Sequence, residues 1–336
     1  MSLILAVASL FAAFVPMFSY LLIIWWLDRN EREPFWMLLL NFFWGATGAI
    51  ILGIIGSLIF QIPISVVIQS ISDGDASELI DLSGAIITAP FVEEFTKGIF
   101  LVIMALQKNF DGVVDGVVYG GAIGLGFGMT ENFLYFLTYG KTPADWIMLV
   151  IIRTLFSAIM HCMSQATFGA FIGFAKFKPL FIKLIFIPAG FLSAVFLHFA
   201  WNLTVSFQNT SLLGMLFLIL YFFAIFAVFQ VSLFMESKTI MKELKEESNF
   251  GIIPSEHLNF IPYASRRFRY DWCPIGVNQK NYVQTAIKLA LRKHQSKNTR
   301  GSTQMAYQRD VELLRYNIQM MFYNASVQYN STLRSV

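Results

Sequence analysis

Most of this chain is a succession of apolar runs, each long enough to cross a bilayer, and that constrains its fold more than anything else. A span needs about 20 apolar residues when it is helical. The helix is also the form in which a lipid-embedded segment satisfies its own backbone. The runs fall at about 3–27, 35–60, 83–106, 113–137, 146–174, 184–205 and 212–234. The first run has no basic region before it and is longer than the roughly 7–15 residues of a signal-peptide core, so it reads as a transmembrane helix. The sequence predicts an all-α protein: a polytopic transmembrane helical bundle of about seven spans, integral to the cell (inner or plasma) membrane.

Charge divides the chain. From Glu236 onward there are 15 Lys and Arg against 8 Asp and Glu, an excess of +7; the preceding residues hold 9 and 13, a balance of −4. This gives a membrane bundle over 1–235 and a basic, water-soluble tail over 236–336. The tail is partly helical, with apolar residues at helical spacing over 281–294 and 304–323; Tyr307, Val311, Leu314, Ile318 and Met321 make the second stripe. Nothing in the tail carries a nucleic-acid motif. The links after the first, third and fifth runs contain Arg29, Arg32, Lys108, Lys176, Lys178 and Lys183, whereas those after the second, fourth and sixth contain Lys141 alone. Cytoplasmic links concentrate Lys and Arg, so the tail is expected in the cytoplasm and the N-terminus outside. Cys162 and Cys273 provide neither a disulfide framework nor a CxxC metal motif.

The third run, SGAIITAPFVEEFTKGIFLVIMAL, carries Glu93, Glu94 and Lys97. Ionisable groups within the membrane cost about 2.5–3.5 kcal/mol each on insertion scales and mark functional sites by default. One glutamate paired with Lys97 would serve to lock helices together; the second is surplus to that role. The fourth run has glycines at 112, 116, 120, 124 and 128, a bare ridge for close helix packing, and then Glu131, Asn132 and Tyr135. The fifth bears a polar stripe, Arg153, Ser157, His161 and Gln165, with Arg153 a natural partner for Glu131. The sixth ends in His198 and Asn202, four residues apart on one face. At a rise of about 1.5 Å per residue, Glu93, Glu131 and His198 reach roughly the same depth, about 10–14 Å, with His161 deeper at about 22 Å. Such a cluster suits hydrolysis: a carboxylate takes a proton from water, and His and Asn stabilise the oxyanion. Its His and Glu side chains also allow zinc, although HExxH is absent and no cofactor is indicated.

With these residues the chain resembles the PrsW family of intramembrane proteases, related to the CAAX-prenyl and bacteriocin-processing enzymes. The resemblance rests on LDRNEREP with NFFWGA, FVEEFTK, DGVVDGVVYGGAIGLGFGMTENFLY, the segment from Arg153 to His161, and HFAWN, in the family's order over roughly residues 25–205. It implies a helical-bundle protease that cuts membrane-tethered proteins or peptides, single-span regulators such as anti-sigma factors among them. Glu93 and Glu94 would activate water, His161 and His198 would orient it or bind the oxyanion, and Asn202 would assist. Glu131 falls where related enzymes place the His of an FxxxH motif; here Phe127 precedes a glutamate. Lys97, Asn132, Arg153, Ser157 and Gln165 would support the site. Glu94→Gln is expected to abolish cleavage and leave folding intact. Two other classes use similar intramembrane charges: an ion-coupled transporter, and a non-catalytic scaffold acting through its tail.

Overall fold

Runs that are apolar on every side of the helix bury one face against neighbours and leave the other for lipid. The computed structural model of the chain, which describes residues 3–72 and 74–334 with side chains as far as 328, has this arrangement; Asp73 of the loop after the second run lies outside the described residues. The helices are α1 (Leu3–Leu27), α2 (Phe35–Phe43), α3 (Ile50–Ile71), α4 (Ser77–Ser83), α5 (Ala89–Ala105), α6 (Val113–Tyr139), α7 (Pro143–Ile152), α8 (Ala158–Ala175), α9 (Leu180–Val205), α10 (Ser211–Asn249), α11 (Gln279–Lys297) and α12 (Gly301–Arg334). Three single π turns, Trp44–Ala49, Gly84–Thr88 and Arg153–Ser157, join α2 to α3, α4 to α5 and α7 to α8 without ending the helix.

Among the described residues, six of these continuous helices are long and apolar enough to cross a membrane: Leu3–Leu27, Phe35–Ile71, Val113–Tyr139, Pro143–Ala175, Leu180–Val205 and Ser211–Asn249. The remaining expected span is helical over 77–105 and is set apart by its charges, Glu93, Glu94 and Lys97. Leu, Ile and Phe side chains stand exposed along α1, α3, α9 and α10, as hydrocarbon solvent permits.

The chain divides into two compact units. The first holds the residues up to Leu27 and Glu33–Phe229; the second holds Asp28–Arg32 and the residues from Gln230 on.

In the first unit α6 is the central element. Along one side its glycine ridge lies against α8. A Cβ added at Gly116, Gly120 or Gly124 would overlap the carbonyl of Gly169, Gln165 or His161, and one at Gly128 would press on Ala158. Along another side, Gly126 meets the carbonyl of Phe42 and Gly45 meets that of Ile123. Only bare backbones approach so closely, so the ridge fixes the height of α8, and with it His161, against α6.

The π turns are braced from outside. A π turn misses ordinary i→i−4 pairing and frees backbone groups that need partners. Thr130 Oγ1 donates to Ala46 O at 2.7 Å and Thr96 Oγ1 to Ala49 O at 3.1 Å, both in the first turn. Asn202 Nδ2 donates to Ala85 O, in the second, at 2.8 Å. Gln61 steadies the helix around the same turn, donating to Ile80 O at 2.8 Å and accepting from Thr88 at 2.5 Å.

In the second unit, α11 and α12 enclose a core that includes Ile240, Leu244, Tyr282, Ile287, Val311 and Ile318. The α12 stripe found in the sequence is the face that packs there, so it is not left for a lipid surface. α10 ends in a Schellman cap at Gly251 (φ 72°), with Ile252 N donating to Glu247 O and Gly251 N to Ser248 O, each at 3.0 Å. The buried Glu247 carboxylate receives Lys293 at 2.6 Å and Arg315 through two bonds of 2.7 Å. The residues 28–32 belong to this unit because Arg267 donates to the carbonyls of Arg29 and Asn30 at 2.7 and 3.1 Å.

Candidate active site

The polar residues of four helical segments converge inside the first unit. Pro90 stands where the second π turn passes into α5 and brings no N–H to that turn, and one turn on the helix presents its charges. Lys97 and Glu94 are both fully buried and meet at 2.5 Å, the i,i+3 pairing that the spacing allows. Glu94 is saturated with donors. The same Oε1 receives His198 Nδ1 at 2.8 Å, and Oε2 receives Gln165 Nε2 at 2.6 Å. Glu93 is in a different situation. Its Oε2 is buried without a hydrogen-bond partner and faces His198 Nε2 at 3.9 Å.

His161 is at the centre of the cluster. Its Nε2 lies 2.7 Å from Glu131 Oε2 and its Nδ1 3.1 Å from Lys97 Nζ. The ammonium of Lys97 can only donate, so the network assigns the ring proton to Nε2, shared with Glu131. By the same logic His198 carries its proton on Nδ1, toward Glu94, and holds a lone pair on Nε2, toward Glu93. The two imidazoles meet edge to face, centroids 4.8 Å apart. Phe127 covers the cluster from α6, with Lys97 Nζ 4.2 Å from its ring centroid. Gly53 of α3 leaves room beside the Glu93 side chain, 3.6 Å from where a Cβ would stand.

Arg153 pairs with Glu131 at 2.7 Å and donates to Asn132 Oδ1 at 3.0 Å, its guanidinium stacked on Tyr135 at 3.5 Å. Asn132 Nδ2 is buried with no partner. Ser157 is buried within the third π turn. In a straight α-helix each step of four residues drifts by about 40°; the wider turn at Arg153–Ser157 removes part of that drift and keeps Arg153 near the face of His161 and Gln165.

Glu93, Glu94, Glu131, His161, His198, Lys97, Arg153, Asn132 and Gln165 are thus brought together. Asn202 is placed a turn beyond His198, with its amide on the Gly84–Thr88 turn instead of the carboxylates. Sequence reasoning missed the braces Gln61, Thr96 and Thr130, ordinary polar residues whose only signal is their occurrence within apolar runs. Cys162, next to His161, lines a separate apolar cavity of about 330 Å³ with Tyr20, Ile24 and Phe226.

Ligand atoms of Glu93, His161 and His198 lie within 4.8 Å of one another. This is a His₂Glu donor set, as zinc hydrolases use. The partnerless Glu93 oxygen and the free His198 Nε2, its ring oriented by Glu94, suit metal ligands. His161 joins them by giving up the contact of its Nδ1 with Lys97, and with that exchange the residues present fit such an ion.

A sequence model of the PrsW family, described as intramembrane metalloproteases, matches residues 33–229. The chain belongs to the PrsW family. The match has the same limits as the segment Glu33–Phe229 of the first unit. Every candidate site residue falls inside it, and the second unit, Asp28–Arg32 and the residues from Gln230 on, lies wholly outside it. Among curated relatives, Protease PrsW of Bacillus subtilis is 29% identical over 153 residues, covering 45% of this chain and 61% of that protein. Protease PrsW of Oceanobacillus iheyensis is 26% identical over 178 residues, covering 53% and 74%. Protease PrsW of Shouchella clausii is 31% identical over 117 residues, covering 34% and 51%. No solved structure matches the chain significantly.

Proposed function

We propose that the chain is an intramembrane protease that hydrolyses a peptide bond in membrane-tethered proteins or peptides. The protease-like bundle would be residues 1–235, and the basic tail, 236–336, would stand in the cytoplasm with the N-terminus outside. The observation that carries this reading is the partnerless Glu93 Oε2 facing the Nε2 lone pair of His198 in a buried polar cluster.

Glu93 and Glu94 divide the labour. Glu94, with Lys97, His198 and Gln165 on its oxygens, is a positioning residue: it holds His198 in the tautomer that turns a lone pair toward Glu93. Glu131 and Arg153 hold His161 from the other side, and Asn202 acts through the π turn. In the metal-free form of the reaction, Glu93 takes a proton from water as the water oxygen bonds to the scissile carbonyl carbon. The proton then passes to the amide nitrogen as the C–N bond breaks, and Glu93 is restored. The neutral His198 Nε2 accepts a hydrogen bond from the same water.

Glu93, His161 and His198 are also the residues that would hold a divalent metal. Bound there, the ion would polarise the carbonyl and acidify water, and Glu93 would serve as a ligand.

The test is cleavage of membrane-tethered reporters by the purified, reconstituted chain, with products mapped by mass spectrometry and zinc content measured on the same sample. Site-specific cleavage is expected. Stoichiometric zinc that falls in Glu93→Ala and His198→Ala selects the metal form. Ion flux across the liposomes with no cleavage of any reporter would turn the reading toward transport.

A further inference from the structure

Where the apolar part of α10 gives way to its charged part, the second unit holds a cavity of about 430 Å³ that the proposed chemistry does not use. It is lined by Arg29 and Asn30, by Gln230, Ser237 and Lys238 of α10, and by Ser265. The sequence fixes its level in a bilayer. Arg29 stands just past the end of α1 at Leu27, and residues 230–241 straddle the change from an apolar run to Glu236 and Lys238. Both landmarks belong to the headgroup layer.

The lining is rich in cations and donors. The Arg29 and Lys238 side chains are exposed there. Gln230 brings a buried amide Nε2 with no hydrogen-bond partner, a state that costs free energy until an acceptor arrives. Glu236, the acidic residue of this stretch, is not part of the lining; its carboxylate receives Asn30 Nδ2 at 2.8 Å. Leu233 and Phe234 form the apolar side of the same cavity. Beyond Ser265 the chain carries Arg266 and Arg269 together with Phe268 and Tyr270, which are 65% and 91% exposed. Exposed aromatics interleaved with cations are the mark of an interfacial anchor.

The geometry points to a binding site for an anionic phospholipid: its phosphodiester on Arg29, Lys238 and the Gln230 amide, its acyl chains toward Leu233 and Phe234. Basic recesses at the cytoplasmic ends of spans bind such headgroups.

The full chain in neutral detergent, titrated with phosphatidylglycerol and followed by native mass spectrometry, provides the test. The expected result is retention of one phosphatidylglycerol in preference to phosphatidylcholine. Two near-surface cations correspond to about a thirtyfold change in affinity, the loss expected for Arg29→Gln/Lys238→Gln. Should that double variant melt early, the exposed single change Lys238→Gln carries the test, with about a fivefold loss expected. Lys238→Arg should keep the lipid. Equal phosphatidylglycerol affinity in the wild type and Lys238→Gln would overturn the proposal. Displacement of the lipid by inorganic phosphate at comparable concentration would also overturn it, by marking a site for the free anion.

Discussion

Glu94 and Lys97 are both fully buried, and each is the other's counterion. Replacing Glu94 with Gln keeps the shape of the side chain but leaves the ammonium without its carboxylate. The expectation that this change spares folding is therefore revised: breaking a buried pair costs about 3–5 kcal/mol. A clear drop in the melting temperature of Glu94→Gln is expected, and Glu94→Gln/Lys97→Met should recover part of it. Glu93 has no such obligation. Its free oxygen gains nothing from the fold, so Glu93→Gln should melt at or above the wild-type temperature. Differential scanning fluorimetry of the three variants checks both statements. The presence of two adjacent carboxylates was legible in the sequence. Which of them remains open was not, because that depends on Gln165 and His198, on helices distant in sequence.

At the scale of the element, the glycine ridge and the π turns set the site. Gly124→Leu would drive α6 from the His161 carbonyl and should cost more than the about 1–3 kcal/mol of ordinary overpacking, with activity lost alongside. Asn202→Ala leaves the Ala85 carbonyl without its side-chain donor, at about 1–3 kcal/mol. Its effect should be on stability and kcat, with zinc content unchanged, as measured by melting and metal analysis of the same preparation. The ridge was readable as glycine every four residues, and the spans as apolar runs. The π turns were not readable, since one extra residue in a helix leaves no compositional trace. Counted at a constant rise from Trp146, His161 is the deepest member of the cluster, and the helix begins still earlier, at Pro143. Distance from the helix end is therefore the wrong measure, because backbone contact between α6 and α8 sets the height of His161 against Glu131.

At the scale of the whole molecule, the proposed topology places Lys176, Lys178 and everything after α10 on the cytoplasmic side. Single cysteines at exposed tail positions, in a background lacking Cys162 and Cys273, should react with a membrane-impermeant maleimide only in inverted vesicles; labelling from the outer face of intact cells would contradict the topology. The second unit should also respond to acid. His257 is packed between Trp272 and Tyr282, its Nδ1 2.8 Å from the Tyr282 hydroxyl, and burial holds its pKa below the usual histidine value. The unfolded chain then binds the proton more readily than the folded one, so stability falls as pH drops through the ordinary histidine value of about 6.5 and levels off below the folded one. Hydrogen exchange at α11, corrected for intrinsic rates, should rise from about pH 7 to about pH 5 in the wild type and change less in His257→Gln.

The central claim is that Glu93 carries the chemistry while Glu94 holds its surroundings in place. The most direct test is single-turnover cleavage of one mapped membrane-tethered reporter by reconstituted wild type and Glu93→Gln, with both proteins shown folded by their melting curves. The account predicts a folded, reporter-binding Glu93→Gln whose cleavage rate is lower by at least about 10²-fold, the scale of losing a general base. A folded Glu93→Gln that cleaves at the wild-type rate would contradict it.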